Sequence, residues 1–180
     1  MIDQFTIRAL APQEARGLVG ALSDVLIDCV EGGASVSFML PLTRDRADAF
    51  WYGVAEGAIA GKRILLVAQD RTSGQVVGTV QVILKQPENQ PHRADIAKLL
   101  VHRSARRRGV ARQLMAGAEQ EALAEGKTLL VLDTVTGDAA ENLYERLGWT
   151  RVGVIPRYAL YPDGRECATT VFFKDLTAAA

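Results

Sequence analysis

Lys98-Leu99-Leu100-Val101-His102-Arg103-Ser104-Ala105-Arg106-Arg107-Arg108-Gly109-Val110-Ala111-Arg112 holds six basic residues and no acid. It ends an apolar segment that reads as a strand over 94–101, and Gly109 opens a helix over 109–125 that Gly126-Lys127 closes. A helix start presents unpaired N–H groups and the positive end of the helix dipole. Small residues at 109 and 111 allow an anion to approach the backbone, and the arginines add counter-charge. The physical reading is a cradle for a polyphosphate. It is not a P-loop, because no Gly loop leads into Lys-Ser or Lys-Thr. It is not a dinucleotide fingerprint either, because G-x-G-x-x-G is absent.

Outward from this stretch, the pattern predicts a strand over 5–10 and a helix over 13–30 with Leu18, Leu22, Val25, Leu26 and Cys29 on one face. Gly32-Gly33 stop that helix, and a second runs over 44–60 with Thr43 as its cap. Strands over 63–69 and 76–86 form an antiparallel hairpin. After the helix at 109, a strand over 128–134 completes a parallel crossover. A helix over 138–147 and closing strands over 149–155 and 169–174 flank a Pro162-Asp163-Gly164 turn. The expected architecture is one α/β domain over residues 1–180. About seven strands form a mixed sheet, antiparallel first and parallel in the middle, with four flanking helices.

The chain of 180 residues suits one core, and its 48% hydrophobic content excludes disorder as the main state. Twenty-one basic and 21 acidic residues cancel, which argues against a nucleic-acid partner. Apolar runs are strand-sized and no leader pattern follows Met1, so neither a membrane nor an export route is expected. Cytoplasmic residence follows, with Cys29 and Cys167 as free thiols. Two His and two Cys offer no metal-ligand spacing. The neutral total hides local asymmetry: residues 113–145 carry seven acids and one lysine.

Arg106-x-x-Gly109-x-Ala111 matches the pattern [RQ]-x-x-G-x-[GA], and Leu143-Tyr144-Glu145-Arg146-Leu147-Gly148-Trp149 resembles L-Y-x-x-x-G-F about thirty residues on. With the element order above, these two segments resemble the GNAT acetyltransferase superfamily. Gly137 stands where that family often has a cofactor-contacting Asn, and Asn142 is out of register. A resemblance over nearly the whole chain, in Gly32–Met39, Lys98-Leu99, Leu132-Asp133-Thr134 and the Pro162-Asp163-Gly164-Arg165 segment, is to GNAT enzymes of the tabtoxin-resistance type. These acetylate a β-lactam-containing amino acid toxin.

The resemblance implies acetyl-CoA as cosubstrate and no metal. Arg106, Arg107, Arg108, Gly109, Val110 and Ala111 would hold its pyrophosphate, and backbone of a bulged strand at Leu99, Leu100 and Val101 would meet the thioester. Tyr144 would give a proton to the departing thiolate, since a phenol stays protonated at neutral pH. Asp133 and Asp95 are both candidate bases. Ser35, Phe38 and Asp133 are expected on the acceptor side, with Gly32–Met39 as a lid. The acceptor is expected to be a small-molecule amine or hydroxyl, and a homodimer is an expected assembly. A protein or peptide amine acetyltransferase, which needs an open groove, and a non-catalytic acyl-CoA sensor are the alternatives. Phe50, Trp51, Tyr52 and Trp149 read as core.

Overall fold

The computed structural model describes residues 4–177. Alternating apolar residues in the 63–83 region lie under both faces of a sheet, which explains an unbroken run such as Leu65-Leu66-Val67-Ala68. Leu65 and Val67 join the apolar cluster beneath the first helices, while Leu66 and Ala68 join the cluster on the opposite face. The strands are β1 (Phe5–Ala9), β2 (Arg63–Asp70), β3 (Val76–Ile83), β4 (Arg93–Val101), β5 (Leu129–Val135), β6 (Thr150–Leu160) and β7 (Glu166–Asp175). They form one seven-stranded sheet in the order β1-β2-β3-β4-β5-β7-β6. Only β4 and β5 run parallel; the other neighbours are antiparallel. The mixed sheet expected from the sequence is therefore present.

One face carries α1 (Glu14–Gly17), α2 (Val19–Glu31) and α3 (Arg44–Ile59). The single helix expected over 13–30 is broken at Leu18, whose φ of −104° and ψ of 4° leave the helical basin. The neighbouring Gly17 is a weak helix former, so the break costs little there. This makes five α-helices among the described residues where four were expected. Thr43 caps α3 by accepting from the Arg46 N–H. Trp51 is wholly buried beneath α3, Phe50 packs edge-on against it, and Tyr52 is exposed rather than core.

The other face carries α4 (Val110–Ala124) and α5 (Ala139–Arg146). Trp149 Nε1 donates to Glu119 at 3.2 Å, and Lys174 Nζ donates to the same carboxylate and to the Leu147 carbonyl. One half-buried acid on α4 thus ties the end of α5 to β7. α4 sits close on the sheet because Gly78 of β3 has no side chain. A Cβ there would lie 3.0 Å from the Leu100 carbonyl, 3.1 Å from Leu114 and 3.2 Å from Val110. Gly78→Val is expected to lower stability by roughly 1–3 kcal/mol through overpacking. Denaturant unfolding checks this, and an unchanged midpoint would contradict the tight helix–sheet contact.

Candidate active site

β4 and β5 pair at only three positions, Arg93 with Leu129, Ala94 with Leu130 and Asp95 with Val131. Beyond Asp95 they part. β5 continues on β7, with Asp133 opposite Val171, while β4 stays on β3. On β4 the register with β3 shifts between Ala97 and Leu100, so that Lys98 and Leu99 face one residue of β3. This is a bulge, and Lys98 takes the left-handed φ of 52°. The gap between the parted strands is a cleft of about 800 Å³. Such a volume suits a small-molecule or cofactor site.

At one end the cleft meets the start of α4. Gly109 is the residue before the helix, with φ of 82°, and no side chain caps the first N–H groups. Those donors have no acceptor inside the helix, so they remain for an anion. Gly109, Val110, Ala111, Arg106 and Arg107 all line this end, as do Leu99, Leu100 and Val101. Arg108 does not. Its guanidinium donates to the Ser104 carbonyl at 3.2 Å and stacks over the Phe5 ring at 4.8 Å.

The six basic residues are therefore not one cationic cluster. Arg103 binds Asp28 of α2 through both its backbone N–H and its guanidinium. Arg106 donates to the Val101 carbonyl at 3.0 Å and lies 3.9 Å from Asp28. These two arginines shape the loop. Among the described residues, Arg107 and Arg112 form no ion pair with an acid. Lys98 points to the opposite end of the cleft.

That opposite end holds Tyr144 and Asp133. Tyr144 is 5% exposed and packs against Trp149 and Phe172, with ring centroids 5.9 Å away in each case. It is a core tyrosine by its ring and a cleft residue by its position. Burial, and after it the charge of Asp133, hold its phenol far above the ordinary tyrosine range. Asp133 is exposed to the cleft, and the Thr169 hydroxyl lies 3.0 Å from its Oδ2. Asp95 lies elsewhere. It sits where the two strands are still paired, does not line the cleft, and accepts from Arg93 at 2.9 Å and Gln86 at 3.1 Å. Asp95 is the last residue of β4 that pairs with β5, so the sheet itself closes its position and it is not brought together with Tyr144.

Ser35 lines the cleft, with its hydroxyl donating to the Leu160 carbonyl at 2.6 Å. Phe38 does not; its ring packs edge-on against Phe50 at 5.2 Å. The Leu40 N–H donates to the Pro162 carbonyl at 3.1 Å. The 34–40 segment is thus strapped to the β6–β7 hairpin across this end. Three further charged residues face the cleft: Lys98, Arg146, and Asp138 just before α5, whose carboxyl is pushed up by burial. In the sequence, Lys98 belongs to the basic run and to the Lys98-Leu99 segment of the resemblance, and Asp138 is one of the seven acids of residues 113–145, at the start of the helix expected over 138–147. Both cysteines are free and buried, and both reach the cleft wall. Burial pushes the Cys29 thiol up.

A smaller hollow of about 510 Å³ lies between α2, β3 and the turn at 102–104. Of its three acids, Asp24 and Asp28 are already paired with Arg44 and Arg103. Among the described residues no cluster of His, Cys, Asp or Glu could hold a metal, and no helix is long and apolar enough to cross a membrane.

The profile of the Acetyltransferase (GNAT) family matches residues 35–149, more than half of the chain. An uncharacterized N-acetyltransferase of Azospirillum brasilense is 32% identical over 114 residues, which is 62% of this chain; the matched stretch spans 65% of that protein. An N-acetyltransferase structure from Staphylococcus aureus Mu50 superposes with a TM-score of 0.76 at 20% identity, covering 96% of this chain and 98% of that one. An acetyltransferase structure from Salmonella typhimurium, determined with acetyl-CoA, superposes with a TM-score of 0.75 at 20% identity, covering 96% and 94%. At such identity these two likenesses establish the fold.

Gly109→Ala places a side chain in a left-handed conformation at a cost of about 1–2 kcal/mol. Relaxation of the loop away from its binding geometry is expected to weaken coenzyme A binding roughly five- to thirtyfold, as read by calorimetry. Unchanged affinity would remove this loop from the anion site.

Proposed function

The chain belongs to the GNAT acetyltransferase family, and from that premise we propose that it moves the acetyl group of acetyl-CoA to the amine or hydroxyl of a small molecule. The observation that carries this reading is one cleft with an uncapped helix start at one end and Tyr144 with Asp133 at the other. The uncapped N–H groups, the left-handed Gly109 and the volume of the cleft fit a large pyrophosphate-bearing cosubstrate.

Bound acetyl-CoA would supply an activated acetyl thioester. The start of α4 and Arg107 would hold its pyrophosphate, with Arg106 holding the loop in place. Beyond the bulge, the backbone of β4 at Leu99 to Val101 no longer pairs with β5, which leaves N–H groups on that edge free to stabilise a developing oxyanion. Asp133 would take the proton that an acceptor ammonium must lose before it attacks. Tyr144, kept protonated by burial, would hold a proton for the leaving thiolate. Between the two carboxylates weighed from the sequence, Asp133 is favoured because Asp95 is outside the cleft and bound to Arg93.

The strapped 34–40 segment narrows the acceptor end, which favours a small acceptor over a protein segment that needs an open groove. The chain-length resemblance to the tabtoxin-resistance type favours a β-lactam-type amino acid toxin among small acceptors, acetylated by one protomer or by a homodimer.

Thiol release from acetyl-CoA across a panel of amines tests the activity. Tyr144→Phe keeps the ring and is expected to lower kcat by roughly 10²–10⁴-fold with little change in coenzyme A affinity. Asp133→Asn is expected to lower kcat similarly. A full rate in either variant would remove that residue from the chemistry. Acetyl-CoA binding without turnover on any acceptor would favour the sensor alternative.

A further inference from the structure

The bulge in β4 does more than part the strands. It turns Lys98 out of the ordinary alternation of β4, with φ of 52°, into the cleft wall beside the 34–37 segment. A left-handed φ on a lysine is strained and persists where its surroundings hold it. Ser37 is also left-handed, with φ of 77°, and its Oγ accepts from Lys98 Nζ at 3.1 Å. Lys98 Nζ lies 5.9 Å from the centroid of Phe50, whose ring is braced by Phe38 and Trp51. Two strained residues and an aromatic wall thus hold one ammonium in place.

That ammonium is under-satisfied. It has three protons to donate, and among the described residues only Ser37 accepts one. No carboxylate pairs with it, unlike Arg103, Arg44 and Lys174. Burial draws its pKa down, while the charge of Asp133 draws it up, so Asp133 is near enough to act on it without contact. The same carboxylate acts on Tyr144.

We infer that Lys98 and Ser37 form an anion subsite in the acceptor half of the cleft, and that the acceptor is a zwitterionic amine whose carboxylate docks on Lys98 while its amino group faces Asp133. This deepens the acetyl-transfer reading and rests on it for the amine's fate, but the subsite itself is a matter of binding. A carboxylate would take the two free protons of Nζ and replace the solvent lost on burial, which an uncharged acceptor does not do.

The test compares L-amino acids with their carboxamides, which keep the amine and side chain and remove the negative charge. Binding to coenzyme A-saturated protein is read by calorimetry, and acetylation is read separately by thiol release. At least one amino acid is expected to bind about tenfold or more tighter than its carboxamide, in line with a charge-assisted hydrogen bond. Lys98→Met is expected to abolish that preference and Lys98→Arg to restore part of it, with coenzyme A affinity reporting that each variant is folded. The subsite is overturned if no amino acid is preferred over its carboxamide, or if Lys98→Met keeps the preference. If the carboxylate preference is present but nothing in either panel is acetylated, the subsite stands and the acetyl-transfer reading fails. If amines are acetylated with no such preference, the reverse holds.

Discussion

Three residue pairs hold β4 to β5, and the cleft depends on there being no fourth. Backbone N–H and C=O groups must find partners. β5 finds its partners on β7 along its whole length, and β4 finds its partners on β3 on the other side of the bulge. Each strand is thus supported from its outer flank, so the inner flanks can separate without melting the sheet. The opening that results carries polar backbone edges, apolar walls from both core clusters and the start of the helix that follows β4.

This constraint also explains the division of labour among the charges. The loop between β4 and α4 must turn within a few residues and still point the helix start at the cleft. Arg103 and Arg106 hold it to Asp28 of α2 and to the end of β4, and Arg108 holds it to Ser104 and Phe5. Most of these charges stabilise a conformation, and the uncapped helix N-terminus is left facing the cleft. At the other end of the cleft, charge is sparse and not neutralised in pairs. A phenol, a carboxylate and an ammonium line this one cleft.

Some of this was legible in the residues. The change from period-two to helical spacing on either side of residues 102–108, and the Gly-x-Ala start of α4, are local features, and local features survive folding. Thr43 as a cap and the hairpin before β4 are of the same kind. The break at Leu18 was not legible, because apolar spacing continues across it and only packing decides whether the helix does. Phe38 was placed on the acceptor side from its segment alone, and its ring turned instead to Phe50.

By itself, then, the sequence determined the order of elements, the helix start that follows β4 and the presence of Tyr144 on the helix beside β5, since each rests on neighbours within a few residues. Tertiary structure alone decided which of two aspartates faces the cleft. Asp95 and Asp133 look alike as acids on adjacent strands, and the difference is whether the strands are still paired at that level. It likewise separated Lys98 from the arginines that follow it. A bulge of one residue reverses the direction of a side chain on a strand, and no count of charges along the chain reveals that reversal.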